Sequence, residues 1–274
     1  MKRSTPRLGV GLGLRPELYQ GIMQNTGRID FLEVITDQYI FAPAEKVERL
    51  LEIGKHFPLI PHGIGMSVGT DMKIENSYLN NTIEFVDKLD AHWFSDHLCY
   101  TKTAEVDLGQ LTPLWFTEET VEVVCRNVNQ VKKMTDRPFL LENITYYFPI
   151  PMSEMTEAEF ISSVLVKADC GMLLDINNVH INSINLVYDP YEFLNSIPLD
   201  RVVQVHIAGG TKSHEIIIDT HGSAVRKEVW ELLKYVVARS SIKGVLLERD
   251  QNFPPFQDLL DELSIARQIL NQRN

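Results

Sequence analysis

Short apolar runs recur along the whole chain, at residues 8–13 (LGVGLG), 30–35 (DFLEVI), 58–65 (PLIPHGIG) and 93–100 (WFSDHLCY). Four more follow, at 138–144 (PFLLENI), 171–178 (GMLLDINN), 202–209 (VVQVHIAG) and 244–250 (GVLLERD). Most are continuous rather than alternating, which suits strands covered on both faces in a parallel sheet. Helical patterns lie between them. Residues 44–56 put Val47, Leu50, Leu51 and Ile53 on one face. Thr117 followed by Glu118, Glu119 and Thr120 is an N-cap opening, and the pattern runs on through Val121, Val124, Val128 and Val131. Thr156 and Glu159 have capping-box spacing ahead of Phe160, Val164 and Leu165. Residues 224–239 and 256–270 read likewise. Eight strands alternating with about eight helices predict a (β/α)8 TIM barrel of the α/β class, one domain over 1–274. A doubly wound open sheet is the competing arrangement, because periodicity does not report closure. No linker, repeat or low-complexity segment divides the chain, and the proline-containing stretch 148–152 reads as a loop.

A barrel carries its chemistry at the carboxyl ends of its strands. Read there, the runs give Glu33, His62, Asp96 with His97, Glu142 with Asn143, Asp175 with Asn177 and Asn178, His206, and Glu248. His180 follows the sixth run, and Asp219 and His221 follow the seventh. Carboxylates and imidazoles converging on one mouth repel or go unsatisfied unless a cation joins them. Nine residues form the predicted metal set: His62, His97, Glu142, Asp175, His180, His206, Asp219, His221 and Glu248. That exceeds what one ion uses and predicts a site of two or three metals, with a bridging carboxylate such as Glu142. Asp219 and His221, two apart in an extended segment, point the same way and can reach one ion. Asn143 and Asn178 are additional ligands or hydrogen-bond partners. Asp96 and Glu33 are the candidate catalytic residues, as orienters of ligands or simply as barrel-mouth ion pairs. Nitrogen and oxygen donors without cysteine suit iron, manganese or catalytic zinc rather than a thiolate-rich structural zinc. His56, His92 and His214 have no such placement and read as surface or packing residues. Gly9, Gly11 and Gly13 lack the spacing of a dinucleotide loop; they let the backbone approach substrate or a neighbouring strand.

Composition narrows the partners. With 26 Lys+Arg against 37 Asp+Glu, the formal net charge is −11. That disfavours nucleic acid, whose binders neutralise phosphates with clustered basic residues. No apolar run approaches the roughly 18 residues of a membrane span. Pro6, Arg7, Arg15 and Glu17 interrupt any export-signal core, so the expected location is cytoplasmic. Cys99, Cys125 and Cys170 are widely spaced and read as free thiols in a reduced compartment.

The motifs GVGLGLRPELY, DFLEVITDQY, HGIGMSVG, SDHLCY, LLENITYY, LLDINNVHIN, VVQVHIAGG, DTHG and LLERDQNFP stand in this order between about residues 8 and 255. Together they resemble the multinuclear non-haem iron-dependent oxidative enzymes, the family of the methanobactin-biosynthesis oxidase. The resemblance implies a xylose-isomerase-like TIM barrel with two or three irons, mixed ferrous and ferric, at its mouth. It implies that O2 is the co-substrate and that the product is an altered residue, most often cysteine, of a ribosomally made precursor peptide. It also implies a separate partner protein that grips the precursor's leader. Carried over residue by residue, the family's ligands match His62, His97, Glu142, Asp175, His180, His206, Asp219, His221 and Glu248. The ligand order is also similar to that of the trinuclear zinc apurinic endonucleases, which share the barrel and attack phosphodiesters. The net charge argues against that reading, and a sugar isomerase or a non-catalytic metal-binding scaffold stands further back.

Overall fold

The computed structural model describes residues 5–272, so the first residues of the basic N-terminal stretch lie outside it. The chain runs β1 (Gly9–Gly13), α1 (Tyr19–Gln24), β2 (Phe31–Ile35), α2 (Ala44–Gly54), β3 (Leu59–Gly63), α3 (Asn76–Lys88) and β4 (Phe94–His97). A hairpin of β5 (Tyr100–Lys102) and β6 (Asp107–Thr112) precedes α4 (Glu118–Lys132). Then come β7 (Phe139–Glu142), α5 (Glu157–Ala168), β8 (Gly171–Asp175), α6 (Ile176–Asn185), α7 (Pro190–Ser196) and β9 (Val202–Ile207). A second hairpin, β10 (Thr211–Ser213) with β11 (Ile216–Ile218), leads to α8 (Lys227–Arg239), β12 (Gly244–Leu247) and α9 (Phe256–Asn271). Eight strands close in the order β1-β12-β9-β8-β7-β4-β3-β2, and every pairing within the barrel is parallel. Closure excludes the open sheet and leaves no exposed barrel edge.

Each strand then sorts its residues by alternation. Leu32, Val34, Leu141, Leu174, Val205, Ile207, Val245 and Leu247 join the large core between barrel and helices. The alternate residues Phe31, Ile60, Trp93, Leu140, Leu173 and Leu246 form a separate buried cluster inside the barrel. The residues two positions further along the same faces include Glu33, His62, Glu142, Asp175 and Glu248. The polar ring at the mouth is therefore the next layer above an apolar plug, which shuts off the opposite end. Gly11 makes room for that plug: a Cβ there would lie 2.7 Å from the Phe31 ring. This glycine serves interior packing.

The helix signals hold in detail. Thr117 Oγ1 accepts from the Thr120 amide at 3.2 Å, and Val121, Val124, Val128 and Val131 are all buried. At α5 the Glu159 amide donates to Thr156 Oγ1 (3.3 Å) while the Thr156 amide donates to Glu159 Oε2 (2.8 Å). Loss of such a cap costs about 1 kcal/mol. Two apolar runs differ from their reading as single strands. The run 93–100 ends its barrel strand at His97 and turns into the β5–β6 hairpin. The run 171–178 ends at Asp175, whose Oδ1 accepts from the Asn178 amide (2.7 Å) and opens α6. An aspartate able to cap the next turn stops the strand. The last-third helix expected from residue 224 begins at Lys227, because Arg226 is still extended.

Candidate metal centre

Three groups of facing ligand atoms occupy the mouth: His62, His97 and Glu142; then Glu142, Asp175, His206 and Glu248; then His221, Glu248 and Asp250. Within each group the atoms lie within 4.8 Å of one another. Glu142 belongs to the first and second groups, and Glu248 to the second and third. Glu142 Oε2 is 3.0 Å from His62 Nε2 and 3.3 Å from His97 Nε2, while its Oε1 is 3.1 Å from His206 Nδ1. Glu248 Oε2 is 3.2 Å from His206 Nδ1 and 3.4 Å from His221 Nδ1. Asp219 Oδ1 is 2.8 Å from His221 Nε2, so the Asp-x-His pair does converge. His221 itself sits in the left-handed region (φ 46), a strained backbone that turns its ring back toward the barrel.

The ring nitrogens are sorted by their other contacts. His97 Nδ1 lies 3.0 Å from the Gly63 carbonyl, an acceptor only, which places the proton there and leaves Nε2 facing Glu142. His62 Nδ1 meets Ser95 Oγ at 2.8 Å, again leaving Nε2 inward. For His206 the ordering runs through four residues. Trp93 Nε1, a donor only, bonds Gln204 Oε1 (2.7 Å), which fixes that amide with its nitrogen toward Glu33 Oε2 (2.5 Å). His206 Nε2 lies 3.0 Å from both Glu33 Oε2 and Gln204 Nε2, and these contacts leave Nδ1 facing Glu142 and Glu248.

The electrostatics follow from this crowding. Burial alone would raise the Glu142 carboxyl, but His206, His62 and His97 hold it well below the usual carboxylate range. Burial and then the charges of Glu142 and Asp219 push Asp175 well above that range. Burial would lower the three imidazoles His62, His206 and His221, yet the neighbouring carboxylates outweigh it; His62 rises to about 9. Two like charges about 4 Å apart repel by about 4 kcal/mol at an effective dielectric of about 20. Buried atoms without a hydrogen-bond partner include Glu142 Oε2, Asp175 Oδ2, Asn177 Oδ1, His206 Nδ1 and His221 Nε2. Such orphans are rare in folded proteins, and this many converging in one place fit the ligands of a cation centre. The donors are all nitrogen and oxygen; Cys99, Cys125 and Cys170 are free, buried and outside these groups.

Not every predicted residue comes to the mouth in the same role. His180 is carried onto α6 by the early helix start, and the charges acting on its ring are Glu228 and Arg226, outside the three groups. Asn143 spends its amide on the Asp175 main chain, donating to its carbonyl and accepting from its N–H, both at 2.9 Å. Asn178 donates to the Asn143 carbonyl (3.0 Å) and accepts from Thr145 Oγ1 (2.5 Å). Both asparagines lock β7 to the start of α6. Asp96 accepts from the His97 amide (2.8 Å) and the Met66 amide (3.3 Å), tying β4 to the loop after β3. Burial and then Asp37 raise its carboxyl to about 8. Glu33 and Asp96 thus both stand behind the ligands. His56 and His214 are exposed, and His92 is half-buried beside Trp93.

Asp250 and Arg15 escaped the sequence reading as site members, and Asn177, read there only as a strand-end residue, joins them. Asp250 Oδ2 lies 3.0 Å from His221 Nδ1. Its other oxygen accepts from Arg15 Nε (2.7 Å), and Arg15 Nη2 is 3.4 Å from Glu248 Oε1. Asn177 donates to Asp219 Oδ1 (3.0 Å) while its own Oδ1 stays orphaned. Asp250 is two positions beyond Glu248, the same alternation that marks the others, so a signal for it existed.

Over residues 9–271 the chain matches the family described as RiPP precursor modification enzyme MbnB/TglH/ChrH. The protein belongs to this family. It is an enzyme family whose substrates are ribosomally made precursor peptides. A UPF0276 protein of Caulobacter vibrioides is 36% identical over 260 residues, covering 94% of this chain and 93% of that one. One from Shewanella oneidensis is 38% identical over 257 residues, covering 93% and 91%. Among solved structures, a D-psicose 3-epimerase superposes with a TM-score of 0.61 at 11% identity, covering 96% of this chain and 99% of that one. Endonuclease IV from Thermus thermophilus gives 0.59 at 15%, covering 96% and 99%. These two share the xylose-isomerase-like barrel. Among the described residues no helix is long and apolar enough to cross a membrane.

Proposed function

We propose that this protein is a multinuclear non-haem iron oxidase that uses O2 to modify a residue, cysteine first, of a precursor peptide. The observation that carries the reading is the pair of shared carboxylates, Glu142 and Glu248, which string three ligand groups into one chain. One ion would take His62, His97 and Glu142; a second Glu142, Asp175, His206 and Glu248; a third Glu248, His221, Asp219 or Asp250. Iron held there would supply electrons for the reduction of O2. The protein's own part is geometric. Glu33 orients the His206 ring, Asp96 anchors the His97 backbone, and Asn143 fixes Asp175. Asp250 of the third group is 39% exposed, whereas His206 of the second is wholly buried. A leader-binding partner protein would present the peptide, and the cytoplasm would keep thiol substrates reduced.

The test is metal content by mass spectrometry on protein purified anaerobically from cells given no metal supplement. About two to three irons per chain, followed by an O2-dependent mass change in a neighbouring-gene precursor peptide, is the expected result. Zinc at that stoichiometry would move phosphodiester hydrolysis ahead, and no stoichiometric metal would overturn the reading.

A further inference from the structure

A cavity of about 790 Å3 opens at the same end of the barrel, outside the ligand groups. Its walls are the segments that leave β3, β4 and β7: residues 69–72, Tyr100 on β5, Leu114 and Trp115 ahead of α4, and Met152. Its size falls in the range of about 300–1,000 Å3 typical of ligand sites. The apolar side is built from two parallel rings, Tyr100 and Trp115, 6.2 Å apart and inclined by 10°, above buried Leu114. Trp115 is nonetheless 46% exposed, and Met152 85%. Met152, an adaptable thioether, sits at a left-handed backbone position (φ 59).

The rim has one sign. Asp71, Glu119 and Glu154 line the cavity, and among the described residues no lysine or arginine does. Arg126 pairs with Asp71 at 3.1 Å, and Glu154 accepts from the Glu118 amide at 3.3 Å. Glu118 and Glu119 form the first turn of α4 beside them, so the balance stays negative. Exposed aromatic and methionine anchors inside a charged rim are the make-up of a binding surface.

We propose that this cavity docks the precursor segment flanking the modified residue, and that it selects a segment with an aromatic or long apolar side chain between lysines or arginines. The proposal rests on the peptide-substrate reading but not on the identity of the metal. The apolar anchor meets Trp115, Tyr100 and Met152, while the basic groups meet the carboxylates. Acidic or uncharged flanks lose that attraction.

The experiment is calorimetric titration of the full chain as purified, under argon so that no turnover occurs, with two capped pentapeptides. One has phenylalanine between two lysines, the other phenylalanine between two glutamates. The lysine peptide binds and the glutamate peptide does not. Trp115→Ala weakens the lysine peptide by about tenfold, and Glu119→Gln with Glu154→Gln weakens it and flattens its salt dependence. Far-UV circular dichroism confirms that the variants fold. Equal affinity for both peptides, binding of neither, or unchanged affinity in folded Trp115→Ala overturns the proposal. Each outcome is independent of which metal, if any, the protein carries.

Discussion

His206 Nε2 lies 3.0 Å from Glu33 Oε2 across the barrel interior, and both groups are fully or almost fully buried. Glu33 accepts from Gln204 and faces His206 Nε2, so the pair Glu33–Gln204 orients the ring and leaves Nδ1 toward the other carboxylates. Replacing it should spare the fold and disturb the ligand. Glu33→Gln is expected to weaken metal binding by about 10–100-fold, the usual effect of removing a ligand's orienting carboxylate. A competition titration with a chromophoric chelator measures it, and unchanged affinity would show that His206 is oriented by something else.

Glu142 joins two of the three ligand groups, whereas Glu248 and His221 hold the third without it. Glu142→Gln keeps the volume and removes the charge. The variant is expected to lose the ions of the first two groups and keep the one at His221. Metal content per chain, set against the parent protein, reads this directly; a loss confined to one ion would mean that Glu142 does not bridge.

Gln204 links Trp93 to Glu33 through two buried hydrogen bonds. Gln204→Leu fills the space but leaves the Trp93 indole N–H and one Glu33 oxygen without that partner. Buried unsatisfied groups of this kind cost about 1–3 kcal/mol each. Urea unfolding should show a loss of that order, and a loss below about 0.5 kcal/mol would mean that water replaces the amide.

Glu157 supplies a pH dependence away from the metal ligands. Burial raises its carboxyl from 4.5 to about 7, against the hydrogen bond from the Tyr146 hydroxyl at 2.6 Å. The folded state therefore binds this proton more tightly than the unfolded chain does. That contribution to stability is complete below about 4.5 and is lost as pH rises through about 7. Glu157→Gln removes the titration. Its melting temperature should gain on the parent's between about pH 5 and about pH 8, and parallel profiles would place the carboxyl at its ordinary value.

The sequence by itself determined the eight strands, most of the helices and the strand-end positions of the ligands. Those features are local: apolar runs, caps and alternation are written in neighbouring residues, and a barrel maps strand ends onto one mouth. Tertiary structure decided which candidates meet. Whether the sheet closes depends on β1 pairing with β12, through partners as distant in sequence as Gly9 and Gly244, which no local pattern contains. His180 falls on α6, outside the three ligand groups, because Asp175 caps a helix directly after its strand. Asp250 and Arg15 joined because β1 and the segment after β12 lie side by side. The hairpin that lines the cavity begins where the apolar run 93–100 ends, and sequence alone does not report the turn after His97 that leads into it. Residue type and spacing supply the donors; only closure of the chain on itself sets their distances, and with them the division into three linked groups.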